Sequence, residues 1–270
     1  MLRLIKHRRF KTFLFLGVTT VLIVLLLGIP KSSHTAMTSL RSLAQNREIV
    51  IGAAVAINPL RNEPVYREVL AREFSSLTAE NVMKFRFLHP ERDRYDLTDA
   101  DTLVTFAEDN NMKVRGHTLV WHLELPQWLT EGNFTRQQLL QILRDHIYTV
   151  VGHYRGKVFA WDVVNEGIGD NNQLRDTIWL KVIGPDYIDL AFRWAHEADP
   201  KARLFYNNYG GEGLGEKSDA IYNLVRGMVE RGVPIHGVGL QMHVGLNNAP
   251  PTADVAANIQ RFAALGLDVH

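Results

Sequence analysis

Five apolar runs in this 270-residue chain end in side chains able to move protons or hold hydroxyl groups: Glu80-Asn81, His117, Asn165-Glu166, Asn207-Asn208, and Gln241 with His243. A carboxyl group serves as a general acid or base, and amides donate and accept hydrogen bonds side by side. The indole of Trp121 adds a flat apolar face close to one of these ends. Such a set suits a neutral, polyhydroxylated ligand better than a phosphate or a nucleobase. Taken singly, each residue would be an ordinary strand end or a hydrogen-bonded core group. Five runs in succession ending this way argue for a common face. A metal centre is the competing reading, with His117, His122, His243 and Glu166 as ligands. No His-x-His or His-Glu-x-x-His pair supports it, and the absence of cysteine removes thiolate sites, disulfides and a Cys nucleophile together. Gly210-Gly211-Glu212-Gly213 follows the fifth run and reads as a flexible loop rather than a phosphate cradle.

The elements that must position these groups alternate. Short β-rich runs at 49–55, 76–80, 113–119, 158–164, 202–206 and 236–241, and one beginning at Leu267, are separated by amphipathic stretches. The amphipathic stretches, at 64–74, 99–110, 135–153, 185–197, 216–231 and 252–264, predict helices, several with Pro or Asp/Thr start signals. This α/β alternation, repeating about every 27–45 residues, predicts a (β/α)₈ barrel in which the carboxyl ends of the strands share one face. A doubly wound sheet would alternate in the same way. Its glycine-rich fingerprint is missing after the first strand, where Ile51-Gly52-Ala53-Ala54 offers one glycine. No low-complexity linker divides residues 41–270, which read as one domain.

Residues 1–40 differ in character. They carry Arg3, Lys6, Arg8, Arg9, Lys11 and Lys31 and no acid, so the formal net charge of +1 becomes −5 for residues 41–270. A mildly acidic body without clustered Lys and Arg argues against nucleic acid as a partner. The apolar run 13–29, closed by Pro30 behind a basic flank, predicts an export helix: a signal peptide or an uncleaved anchor. Either would place the body outside the cytoplasm, touching the membrane only through this segment.

The chain resembles glycoside hydrolase family 10, the endo-1,4-β-xylanases, over residues 45–270. The resemblance lies in Thr78-Ala79-Glu80-Asn81-Val82-Met83-Lys84-Phe85, Arg115-Gly116-His117-Thr118-Leu119-Val120-Trp121-His122, Trp161-Asp162-Val163-Val164-Asn165-Glu166, Asn207-Asn208-Tyr209 and Gly237-Val238-Gly239-Leu240-Gln241-Met242-His243. It implies retaining hydrolysis of xylan or xylo-oligosaccharides without cofactor or metal, by a monomer. Glu166 would protonate the leaving oxygen and then activate water. Asn165 would hold the 2-hydroxyl of the sugar at the cleavage point. Glu80, Asn81 and Lys84 would bind the adjoining sugar, His117, Trp121 and Gln241 would frame the reacting ring, and Tyr209 would lie toward the leaving group. Phe85, Asn208 and Val82 stand where the family usually has Trp, Asp and Glu.

By the same resemblance the nucleophile is a Glu on the seventh strand, following Leu267-Asp268-Val269-His270, and His243 would hydrogen-bond it. The expectation is therefore a barrel truncated in its seventh strand, with open edges, marginal stability and no xylan cleavage by the chain as written. A non-catalytic, membrane-anchored xylan-binding remnant is the alternative.

Overall fold

The computed structural model describes residues 39–270. The apolar run 13–29 lies outside the described residues. Among the described residues, no helix is long and apolar enough to cross a membrane.

Seven strands form one all-parallel sheet in chain order: β1 (Gly52–Val55), β2 (Ser76–Ala79), β3 (Lys113–Val120), β4 (Val158–Asn165), β5 (Arg203–Asn208), β6 (Gly237–Leu240) and β7 (Asp268–Val269). Helices connect them: α1 (Leu40–Gln45), α2 (Ile57–Asn62), α3 (Pro64–Glu73), α4 (Phe85–Leu88), α5 (Thr98–Asp109), α6 (Gln127–Thr130), α7 (Arg136–His153), α8 (Tyr187–Ala198), α9 (Glu216–Glu230) and α10 (Thr252–Ala263). A π-helical turn, Trp179–Ile183, precedes α8. All seven expected strands and six expected helices are present, while α1, α2, α4, α6 and the π turn go beyond the expectation.

The sheet curls around a hollow of about 1080 Å³ that touches residues of every strand. This is the wall of a (β/α) barrel, with β1 paired to β2 and β7 to β6 among the described residues. β4 is buried along its length except at Phe159, as a parallel strand covered on both faces must be. β1 is more open, and Ile49 and Val50 just before it are exposed. The helices turn apolar stripes inward, as α8 does with Ile188, Ala191, Phe192 and Ala195. At the start of α7 the Thr135 hydroxyl accepts from the Gln138 N–H, and the Gln138 side chain accepts from the Thr135 N–H, so two otherwise unpaired donors are satisfied.

Two register shifts, between His117 and Val120 on β3 and between Asp162 and Val164 on β4, fall where the strands approach their carboxyl ends. Such irregularities re-aim side chains beside functional sites. Gly116 lets β3 lie against the Trp161 ring. A Cβ there would stand 2.1 Å from Trp161 Cε3, and Trp161 is fully buried. Gly116→Ala is expected to cost about 1–3 kcal/mol by overpacking. An unchanged melting temperature would contradict this close approach.

Around the start of α4, rings pack together: buried Phe85 stacks on buried His146 at 3.8 Å, and buried His89 stacks on half-buried Tyr95 at 4.0 Å. Neither ring nitrogen of His146 has a hydrogen-bond partner. Burial holds the His146 pKa well below the ordinary value of 6.5, and burial lowers that of His89 as well. Below about pH 6.5 the unfolded chain therefore binds protons that the folded chain refuses, so stability is full above that pH and falls beneath it. The slope approaches about 1.4 kcal/mol per pH unit for His146, and His89 adds to it in the same direction. Melting temperatures between pH 7.5 and 5 should show the fall, and His146→Leu should flatten it; an equal slope in the variant would refute the assignment.

Candidate active site

The carboxyl ends of β2, β3, β4 and β6 bring their polar residues together at one mouth of the hollow. Glu80, Lys84, His117, Trp121, Glu166 and Gln241 all line it, with Asn165, Asn207 and His243. Glu166 is the centre of this group. Its Oε2 accepts from the Trp121 indole N–H at 3.0 Å, and its Oε1 lies 3.3 Å from Gln241 Nε2 and 3.4 Å from Asn165 Nδ2. The His122 Nδ1 stands 3.9 Å from Oε2. Burial, then the Arg175 charge, lowers the His122 pKa.

Asn165 closes β4 and is buried. Its Oδ1 accepts from Asn207 Nδ2 at 2.8 Å and from Gln241 Nε2 at 3.0 Å, linking β4, β5 and β6 through three amides. Gly239 makes room for this chain of amides, since a Cβ there would lie 2.2 Å from Asn207 Oδ1. The Trp121 ring is bordered by Lys84, whose Nζ is 5.2 Å from its centroid, and its carbonyl accepts from the Trp179 indole at 2.9 Å. Lys84 also donates to Asn81 Oδ1 at 2.8 Å. Asn81 is held to the site through that bond and does not itself line the hollow.

Of the remaining anticipated residues, His243 lines the hollow at its exposed rim. Tyr209 lies outside the hollow, beyond the carbonyl of Glu166, where its hydroxyl donates to Asp170 at 2.7 Å and accepts from Arg175 at 3.0 Å. Among the described residues, no three His, Asp or Glu side chains are grouped to hold a metal ion. His117 is instead engaged by Asp162, with its Nδ1 2.9 Å from Oδ2.

That contact belongs to a network the sequence did not disclose. Asp162 is buried in the middle of β4, and its other oxygen takes the Arg115 guanidinium at 2.5 Å. Burial alone would raise the Asp162 pKa, but the Arg115 charge and the His117 contact outweigh it, and the net shift is downward. A lone acid inside the apolar run Trp161-Asp162-Val163-Val164 was the available signal, because a buried carboxylate requires a partner. Glu212 is another residue that sequence reasoning passed over. It is buried in the loop after β5, and its Oε1 accepts from the N–H groups of Gly210 and Met242, both at 3.1 Å.

Chemically, the Glu166 carboxyl stands in a cleft with amides, imidazole and indole around it and Glu80 on the same lining, with hydrogen-bond capacity for several hydroxyls. Residues 39–270 match the family described as Glycosyl hydrolase family 10. The chain is 45% identical over 254 residues to the endo-1,4-beta-xylanase B of Thermotoga neapolitana, an alignment spanning 92% of this chain and 72% of that protein. The crystal structure of native xylanase 10B from Thermotoga maritima superposes with a TM-score of 0.82 at 47% identity, covering 86% of this chain and 72% of that one. Xylanase 10B from Thermotoga petrophila, solved in complex with xylobiose, gives 0.81 at 48% identity, covering 86% and 71%.

Proposed function

The chain belongs to glycosyl hydrolase family 10, and from that premise we propose that its site receives β-1,4-linked xylose units with Glu166 as the acid/base. The observation carrying this reading is the Glu166 carboxyl, held between Trp121, Asn165 and Gln241 at the mouth of the hollow. There it would protonate the glycosidic oxygen and, in a second step, take a proton from the attacking water. Asn165, already oriented by Asn207 and Gln241, would present its Nδ2 to the 2-hydroxyl, a contact that tightens as positive charge develops on the ring. Glu80, Asn81 and Lys84 would take the adjoining sugar, with His117 and Trp121 bordering the ring. His243 would meet the nucleophile and Tyr209 the leaving sugar.

Retaining cleavage also needs a second carboxyl to attack the anomeric carbon. The other carboxylates lining the hollow are Glu80, Asp162 and Asp268. Asp162 is taken by Arg115 and His117, and Asp268 is paired with Arg203. The family resemblance places the nucleophile after β7. We therefore assign to Glu166 the acid/base half of retaining xylan hydrolysis, the attack belonging to that second carboxyl. Export through segment 13–29, with secretion or anchoring, is part of the same proposal, as is a monomeric state.

Titration with xylotriose by calorimetry tests the binding. The unaltered chain should bind, and Asn165→Ala should weaken binding by about tenfold, the cost of one strong hydrogen bond. Absence of binding to xylotriose and xylan alike would end the proposal.

A further inference from the structure

We infer that Arg175 is a positioning residue for Glu166, coupling the proton donor to Tyr209 on the side of the leaving sugar; the inference rests on the reading of Glu166 as acid/base. Glu166 has a φ of 57°, in the left-handed region. A residue other than glycine holds that conformation only where its surroundings over-determine it. Two backbone hydrogen bonds do so here. The Glu166 N–H donates to the Asn207 carbonyl at 2.7 Å, and the Glu166 carbonyl accepts from Arg175 Nε at 2.9 Å. Together they fix the peptide planes on both sides of the Glu166 Cα, and that Cα sets where the carboxyl points. The first bond belongs to the barrel wall. The second comes from a side chain nine residues away.

The loop after β4 is folded to supply it. Ile168 and Leu174 pair as an antiparallel bridge, returning the chain, and the Arg175 N–H donates to the Gly167 carbonyl at 2.7 Å. The guanidinium then reaches two groups at once. While Nε holds Glu166, Nη2 donates to the Tyr209 hydroxyl at 3.0 Å and lies 3.5 Å from the Ile168 carbonyl. Tyr209 is itself held, since its hydroxyl donates to Asp170 at 2.7 Å and Lys217 Nζ sits 3.4 Å from its ring centroid. Lys217 also bonds Asp170 at 2.8 Å. A sugar pressing on Tyr209 therefore acts on the fork that fixes the acid. Lysine cannot replace this fork, because a single ammonium lacks two donors at fixed separation.

The test uses the full ¹⁵N-labelled chain and the indole N–H resonance of Trp121, assigned with Trp121→Phe. Because this N–H donates to Glu166 Oε2, its shift reports where the carboxyl lies, with no sugar present. Arg175→Met should move the Trp121 resonance while those of Trp128, Trp161 and Trp194 stay in place. Arg175→Lys should move it as well, and Tyr209→Phe to a smaller extent. Methylguanidinium added to Arg175→Ala should return it toward its original position. In Arg175→Met, xylotriose binding should weaken by about tenfold. A Trp121 resonance unmoved in Arg175→Met, or four indoles shifting together, would overturn the inference; if Arg175→Met does not fold, Arg175→Lys decides in the same way. Failure of the unaltered chain to bind xylotriose would instead strike the proposed function, leaving the sugar-free resonances to judge Arg175.

Discussion

Replacing Glu166 by alanine is expected to lower kcat for xylan hydrolysis by about 10²–10⁴-fold, the contribution of a positioned general acid/base. A retaining glycosidase places its two carboxyl groups about 5–5.5 Å apart, one to protonate and one to attack. Glu166 meets the requirements of the first. Of the other carboxylates on the hollow, Asp162 is clasped by Arg115 and His117, and Asp268 sits at the start of β7 in an ion pair with Arg203, the first residue of β5. Glu80 ends β2, two strands from β4, where the family resemblance gives it a sugar hydroxyl to hold. Protonation without attack forms no glycosyl-enzyme. The family resemblance places the attacking carboxyl after β7, so Glu166 answers for protonation alone. A Glu166→Ala variant that releases reducing sugar from xylan as fast as the unaltered protein would refute the assignment of Glu166 as acid/base.

Replacing Asp162 by alanine should be the most damaging single change to the fold. It leaves the largely buried Arg115 guanidinium without its carboxylate and His117 without its partner. Removing one member of a buried pair costs about 3–5 kcal/mol, a large part of a total stability of about 5–15 kcal/mol. At about 2–4 °C per kcal/mol for a domain of this size, the melting temperature should fall by about 10 °C. Asp162→Asn, which keeps an acceptor, should fall less. The sign with pH is also set. The Asp162 pKa is depressed in the fold, so its contribution is present above the ordinary carboxyl value of 3.8 and is lost as the pH drops through the lower, folded value. That loss begins below pH 3.8, whereas the one from His146 and His89 begins below about 6.5. A change of only a degree or two in Asp162→Ala would show that solvent or a shifted neighbour takes over the guanidinium.

The strands were legible because each buried run is bounded by turn residues and repeats at barrel spacing. β4, apolar from Val158 to Val164 apart from Asp162, is the clearest case. The convergence of Glu166, Asn165, Gln241 and Trp121 followed from their positions at or just past strand ends. Helices α1, α2, α4 and α6 and the π turn span four to six residues each, too few for a periodicity to emerge. Asp162 and Arg115 were read as part of strand interiors, yet both face the hollow, because alternate residues of a strand in a curled sheet point there. Arg175 lies in an irregular loop, where spacing conveys nothing about direction. Its role depends on a chain reversal that only coordinates reveal.

Glu212 bears on how this scaffold could be re-engineered. By taking the N–H groups of Gly210 and Met242 on one oxygen, it stitches the connection leaving β5 to the connection leaving β6. Grafting either connection alone from a relative would strand a buried carboxylate or the amides that feed it. The two are best exchanged as one cassette, with Glu212 travelling in it.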